Sequence, residues 1–262
     1  MPPARALLYV ATAGALALLA RSVLIAPVPL WIAAAALAGY LGLLFAGVLS
    51  LRLGMFVDVV RRGPPGARGV ALTFDDGPSP EHTPRVLDLL DEAGVKATFF
   101  LIGKKVAAHP EIARAIVERG HAVGVHSYAH SRLFSLLSLE AVRLDIARAL
   151  EAISVATGAT PTLFRPPIGH TSPRIARALE AFDLRVVGWS VRGLDGLASA
   201  RPDRVAARIA SGLDDGAIVL LHDAAERDDF TPASVSALPR ILEEMRERGL
   251  AGVRLDAWEE AP

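Results

Sequence analysis

The sequence predicts an α/β fold of parallel strands preceded by a pair of apolar helices. Two observations carry this. From Gly69 onward, short apolar β-rich runs alternate with amphipathic helical ones, the pattern of parallel strands joined by right-handed crossovers. Before that, the run from Ala6 to Leu51 contains a single charged residue, Arg21. Strand-to-helix alternation does not by itself choose between a barrel and a doubly wound sheet. Both architectures build their sites from side chains at strand ends.

The apolar run comes first in the chain. A bilayer core of about 30 Å takes roughly 20 apolar residues in a helix. Residues 1–54 therefore read as a membrane anchor of two transmembrane helices, about Ala6 to Ala20 and Pro29 to Leu51. Pro27 and Pro29 fall in the connecting turn, and Arg21 snorkels to the interface. A cleaved signal peptide followed by one anchor is a second reading, because Arg5 and the apolar run resemble an n-region and an h-region. A buried hairpin of a soluble protein is a third. Arg5, Arg52, Arg61, Arg62 and Arg68 flank the hairpin, and only Arg21 lies between the spans. The positive-inside rule then favours a cytoplasmic C-terminal domain. A single anchor would place that domain outside.

Residues 55–68 read as a linker, with Gly63-Pro64-Pro65-Gly66 as a loop. Residues 69–258 carry seven strand candidates: Gly69 to Phe74, Ala97 to Leu101, Ala122 to Val125, Thr162 to Phe164, Arg185 to Trp189, Ala217 to Leu221 and Gly252 to Leu255. Helices start at Thr83-Pro84, His109-Pro110 and Ser172-Pro173, where proline sits in a first turn that has no use for its missing N–H. Gly120 closes the second of these in the C′ position.

Composition narrows the chemistry. The 28 basic and 28 acidic residues cancel, with none of the basic excess of a nucleic-acid-binding domain. Cysteine is absent, so any metal must be held by His, Asp or Glu.

Five polar segments follow the apolar runs. Asp75-Asp76 ends the first strand, and Gly77-Pro78 forces a turn that keeps both carboxylates exposed. Two adjacent carboxylates at a strand end point differently, so one can bind a metal while the other acts as a base. The same residues also suit a solvated turn. His126 and His130 lie four apart, and a helical course after Val125 would put both imidazoles on one face. With Asp76 they make a set of three protein ligands, the catalytic zinc arrangement. Arg165 precedes Pro166-Pro167, which give it a defined direction. It could pair with a buried carboxylate, and backbone N–H groups beyond the prolines could serve as oxyanion donors. His222 closes the strand Ala217 to Leu221 and suits a general acid. Asp195, in the loop after Trp189, could orient His222 and raise its pKa, or be an ordinary turn residue. Asp223 suits a cap better than chemistry. His82, His109, His121 and His170 have no assigned task.

In order, spacing and strand context, Thr73 to Pro78, His126 to His130, Arg165 to Gly169, Trp189 to Asp195 and Leu220 to Asp223 resemble the five motifs of the polysaccharide deacetylases. This is carbohydrate esterase family four, the nodulation-type deacetylase homology domain. The resemblance covers about Gly69 to Trp258. It implies a distorted (β/α) barrel, usually of seven strands. It implies Asp75 as general base, with Arg165 positioning it. One divalent metal, usually Zn2+, with Co2+, Ni2+ or Mn2+ as alternatives, would be held by Asp76, His126 and His130. His222 would be the general acid, tuned by Asp195. Ile168, through its backbone N–H, would meet the oxyanion, while Leu220 and Trp189 border the substrate. The implied reaction is hydrolysis of an N-acyl group, usually acetyl, from an amino sugar of a polysaccharide, oligosaccharide or lipid-linked glycan. O-deacetylation and deformylation belong to the same fold. An inactive, membrane-anchored sugar-binding protein is the reading from another class. The chain departs from the family where Ile168 replaces a common Tyr and Asp195-Gly196 a common Asp-Trp, which thins the walls that would pack against a sugar.

Overall fold

The computed structural model describes residues 1–258 of the 262. Two long helices come first, α1 (Pro3–Leu24) and α2 (Leu30–Leu49), joined by a short turn containing Pro27 and Pro29. At 1.5 Å per residue each is about 30 Å long, the thickness of a bilayer core. Both are long and apolar enough to cross a membrane. They pack on each other, and Thr12 and Tyr40 share a hydrogen bond of 3.0 Å between them. α1 buries no residue and α2 buries only Gly47, so Leu16, Leu19, Trp31 and Phe45 all face outward. α1 is longer than the sequence suggested and takes in Arg21 within its last turn.

Eight strands form one parallel sheet: β1 (Val59–Val60), β2 (Ala71–Asp75), β3 (Thr98–Leu101), β4 (Ala122–Val125), β5 (Leu163–Phe164), β6 (Arg185–Val187), β7 (Val191–Arg192) and β8 (Ile218–His222). Their order is β1-β6-β5-β4-β3-β2-β8-β7. The sheet curls into a distorted barrel. At its seam Arg62 bridges Ala217, and Ser190 donates its N–H to the carbonyl of Ile218. Helices α3 (Thr83–Glu92), α4 (Gly103–Ala108), α5 (Pro110–Glu118), α6 (Leu139–Thr157), α7 (Pro173–Leu179), α8 (Pro202–Ala210) and α9 (Ala233–Glu247) pack on the outside.

Six of the seven expected strands are present. The seventh, Gly252 to Leu255, is not a strand: it makes one bridge, Gly252 to Val70, and Leu255 donates to the Thr98 hydroxyl. β1 and β7 were not foreseen. Each has two residues, too short for alternation to register, and β1 lies in the segment read as a linker. Ser172 caps α7 by accepting from Ile175 N–H, and Gly120 follows α5 with φ 79°, both as expected. α3 begins at Thr83, with His82 in the cap position and Pro84 in its first turn.

Strand periodicity sorts side chains onto two faces. Outward residues such as Leu72, Phe74, Phe99, Val125, Phe164 and Leu221 join the helices in the main core, where Phe74 and Phe99 stack at 5.1 Å. Burying each large side chain stabilises the fold by roughly 1.5–3 kcal/mol. Inward residues Ala71, Phe100, Leu163, Val187, Ile218 and Leu255 make a smaller cluster inside the curl. Continuing that inward face by twos brings Asp75, His126, Arg165, Trp189 and His222 to the strands' C-terminal ends. β2 and β8 pair with Asp75 opposite His222.

Candidate active site

Asp75 is the last residue of β2. Asp76 follows with φ 72°, which turns the chain out of the extended course of the strand. Asp75 Oδ1 accepts from Arg165 Nη1 at 2.6 Å. Its other oxygen lies 3.8 Å from His126 Nε2.

His126 and His130 do not sit on a helix. The segment after β4 is an irregular loop in which Ser127 (φ 62°) and His130 (φ 51°) are left-handed. The loop is tied down from both sides. His130 N–H donates to the Ser127 hydroxyl at 2.9 Å, and Asp145 of α6 accepts from Tyr128 N–H at 2.7 Å and Ala129 N–H at 3.0 Å. The imidazoles still converge, with Nε2 atoms 3.2 Å apart. Asp76 Oδ1 lies 3.4 Å from Nε2 of His126 and 3.2 Å from Nε2 of His130.

The three donor atoms all lie within 4.8 Å of one another, and all three residues are buried. Asp76 Oδ1 has no hydrogen-bond partner. His126 Nδ1 sits 2.7 Å from the Arg165 carbonyl, which accepts its proton and leaves Nε2 as the free lone pair. Burial works to raise the Asp76 pKa, but the adjacent His126 imidazole and the charges of His222 and His130 outweigh it and hold the carboxyl well below its usual range. For His126, burial lowers the pKa while Asp75 and Asp76 raise it further, with a net rise. Burial, aided by the His126 charge, pushes His130 down to about 4. An ionised carboxylate beside two imidazoles that compete for a proton fits a divalent cation, which displaces that proton on binding.

Arg165 is fully buried. Besides Asp75, its guanidinium donates to the Thr73 hydroxyl and to the carbonyls of Val187 and Gly188, and it lies 4.1 Å over the Phe100 ring. Gly124 makes room for that ring, since a Cβ there would sit 2.7 Å from it. Beyond Arg165, Pro167–Gly169 form one 3₁₀ turn with Ile168 at φ 50°, its side chain exposed at the cavity. The last turn of α2 is bonded to this same loop, Thr171 donating through N–H to Val48 and through its hydroxyl to Gly47.

Across the cavity, Asp195 Oδ2 accepts from His222 N–H at 2.7 Å and lies 3.2 Å from His222 Nδ1. Burial pulls the imidazole down, but the charges of Asp195, Asp76 and Asp75 prevail and push its pKa up to about 10. Gly196 leaves that ring uncovered: a Cβ there would lie 3.0 Å from its Cε1. Leu220 and Trp189 line the cavity, about 410 Å³ in volume, together with Leu194, Leu197 and Phe230. Trp189 packs against Gly169, where a Cβ would meet its ring at 2.7 Å.

All ten residues singled out in the sequence thus border this cavity or directly support it. Sequence reasoning missed Asp145, Phe100 and Phe230, which no local motif marks. It also missed Glu226, 3.7 Å from His130 Nδ1 and paired with Arg132 at the rim. Asp223 is fully buried and accepts from the Thr83 hydroxyl, with burial raising its pKa to about 7. It anchors the start of α3 behind the Asp-Asp-Gly turn. His121 is buried and accepts from Ala97 N–H.

Comparisons with known proteins agree with this geometry. Residues 62–187 match the family model described as polysaccharide deacetylase. A peptidoglycan-N-acetylglucosamine deacetylase of Listeria monocytogenes is 36% identical over 187 residues, 71% of this chain but only 38% of that protein's length. A chitooligosaccharide deacetylase of Bradyrhizobium is 38% identical over 195 residues, 70% of this chain and 87% of the relative. Among solved structures, a carbohydrate esterase family four pseudoenzyme from Bacillus anthracis superposes with a TM-score of 0.69 at 28% identity, over 77% of this chain and 68% of the other. The curled parallel barrel, the five motifs at its strand ends and these relatives establish that the chain belongs to the polysaccharide deacetylase family.

Proposed function

We propose that this chain is a membrane-anchored, metal-dependent hydrolase that removes an N-acyl group, acetyl in the first instance, from an amino sugar of a polysaccharide, oligosaccharide or lipid-linked glycan. The observation that carries it is the complete set of groups around one cavity. Family membership alone would not suffice, since the family includes a pseudoenzyme. Here the paired carboxylates, both histidine ligands, the buried arginine and the Asp195–His222 pair are all present and mutually oriented.

Asp76, His126 and His130 would hold the divalent metal, with Zn2+ first among Zn2+, Co2+, Ni2+ and Mn2+ for this donor set. Bound there, it supplies Lewis acidity that acidifies water and polarises an acyl carbonyl. Asp75 takes the proton of the attacking water, and Arg165 holds its carboxylate in place through the 2.6 Å hydrogen bond. The backbone at Ile168 faces the developing oxyanion. His222, kept protonated by Asp195, gives its proton to the leaving nitrogen. Leu220 closes on the acyl methyl, and Trp189 and Ile168 border the sugar.

Residues 69–258 form the catalytic domain in this reading, and 55–68 the connector carrying β1. α1 and α2 anchor it as a transmembrane hairpin. The support is that Arg5, at the start of α1, donates to the carbonyls of Met55 and Gly54 and pairs with Asp58, contacts that favour the N-terminus and the domain on one side. The arginine distribution supports a cytoplasmic side. A reporter enzyme fused at the C-terminus checks this, and an extracytoplasmic signal would refute it.

The test of the activity is acetate release from N-acetylglucosamine oligomers by the full chain loaded with Zn2+. The proposal expects turnover that Asp75→Asn abolishes with metal still bound. Turnover unchanged in that variant would defeat the assignment.

A further inference from the structure

His126 and His130 are both buried, but only His126 has its outer nitrogen satisfied. His126 Nδ1 meets the Arg165 carbonyl at 2.7 Å. His130 Nδ1 is buried and, among the described residues, has no hydrogen-bond partner. A histidine that ligates a metal through one nitrogen almost always gives the proton on the other to a carboxylate, a carbonyl or water, which fixes both ring and tautomer. The group facing this orphan nitrogen is Glu226, with Oε1 3.7 Å away. A formed bond is about 2.9 Å long, so the two side chains stand just short of one.

The surroundings of Glu226 hold it there. It lies in the loop after β8, between Ala225 and Asp228, and lines the catalytic cavity. Buried Lys105 of α4 clamps this loop on both sides of Glu226. Its Nζ donates to the Ala225 carbonyl at 2.7 Å and to Asp228 Oδ1 at 2.7 Å. Arg132 donates to Glu226 Oε2 through Nε at 2.8 Å and approaches the same oxygen through Nη2 at 2.7 Å. Oε1 is thereby left for His130. The loop after β4 thus presents two groups to one carboxylate, a guanidinium that occupies one oxygen and an imidazole that faces the other. Arg132 is largely exposed, and an exposed ion pair adds little to stability. Its larger effect here is to aim the glutamate.

We propose that Glu226, aimed by Arg132, is the positioning residue for His130. It accepts the Nδ1 proton, leaves Nε2 as the free lone pair beside Asp76 and orients the ring for a divalent cation. The proposal rests on the reading of Asp76, His126 and His130 as a metal centre.

The test uses the full chain in uncharged detergent with isotope-labelled histidine. Zn2+ affinity is measured by competition with a chromophoric chelator, and the imidazole N–H signals of the Zn2+-loaded chain by NMR. Glu226→Ala is expected to weaken Zn2+ binding about 10–100-fold. It should lose the His130 Nδ1–H signal to solvent exchange while that of His126, bonded to the Arg165 carbonyl, persists. Arg132→Gln should weaken binding less than Glu226→Ala, and the double variant no more than Glu226→Ala, because the arginine acts through the carboxylate. Unchanged circular dichroism verifies folding of every variant. Wild-type affinity in Glu226→Ala with the His130 signal retained would overturn the proposal. Loss of both histidine signals in that variant would also overturn it, since Glu226 would then support the site as a whole rather than one ring. So would a double variant in which the two losses multiply. A wild-type chain that binds no Zn2+ fails the metal reading and the inference with it, whereas an indifferent Glu226→Ala in a Zn2+-binding chain fails the inference alone.

Discussion

Replacing Arg165 with Met removes the only guanidinium bonded to Asp75 among the described residues and leaves that buried carboxyl without its ion-pair partner. Breaking a buried ion pair from one side costs about 3–5 kcal/mol. The carbonyls of Val187 and Gly188 and the Thr73 hydroxyl lose a donor as well, at about 1–3 kcal/mol for each group left unpaired. These losses overlap because the groups share one network, so the expected total is about 4–7 kcal/mol. Against a domain stability of about 5–15 kcal/mol, the variant sits at the edge of folding. The cause is separable from general damage. Asp75→Asn added to Arg165→Met removes the stranded charge while leaving the cavity and the unpaired carbonyls. The double variant should regain about 2–4 kcal/mol, the share assigned to the charge. Urea unfolding of the detergent-solubilised chain, followed by far-UV circular dichroism, measures all three variants. A double variant no more stable than Arg165→Met would refute the reasoning, because the charge would then not be what the arginine offsets.

Further outcomes follow from the same geometry. The raised His222 pKa means that its pairing with Asp195 stabilises the fold fully below about pH 6.5 and progressively less as pH rises toward about 10. Asp195→Asn should flatten that loss and move the alkaline limb of the activity profile to lower pH, whereas an unmoved limb would detach Asp195 from His222. A divalent cation added at Asp76 should lower the His222 pKa in an NMR titration, since like charges disfavour the imidazolium. Asp145→Ala frees the Tyr128 and Ala129 N–H groups that hold the histidine loop. Zn2+ affinity by calorimetry should fall about 10–100-fold, the usual effect of losing an outer support, and an affinity equal to wild type would show that the loop holds itself.

Much of this was legible in the chain because period-two alternation carries both fold and site. Thr73 and Asp75, or Leu220 and His222, face inward for the same reason, so runs that mark strands also aim their terminal side chains. Proline and glycine punctuation located the starts of α5 and α7 and the end of α5 within a residue. Reading failed where tertiary contacts override local pattern. The His126–His130 spacing suggested a helix, but Asp145, distant in sequence, captures the loop's N–H groups and stabilises a left-handed course. β1 pairs with β6 over two residues, a match between segments more than a hundred positions apart that no window detects. Gly252 to Leu255 has the composition of a strand yet lies at the curl's rim and finds only one bridging partner. The bond between Thr171 and the end of α2 joins an element read as an anchor to one read as a catalytic loop, and neither sequence hints at the other.

The central claim is that Asp76, His126 and His130 form a metal centre serving a hydrolase. Metal content of the purified full chain, measured by elemental analysis after loading with Zn2+ and gel filtration, tests it without any choice of sugar. The account predicts near-stoichiometric metal in wild type and its loss in both Asp76→Ala and His126→Ala, with circular dichroism unchanged. A well-folded wild-type chain that retains no metal, or an Asp76→Ala variant that retains it in full, would contradict the account.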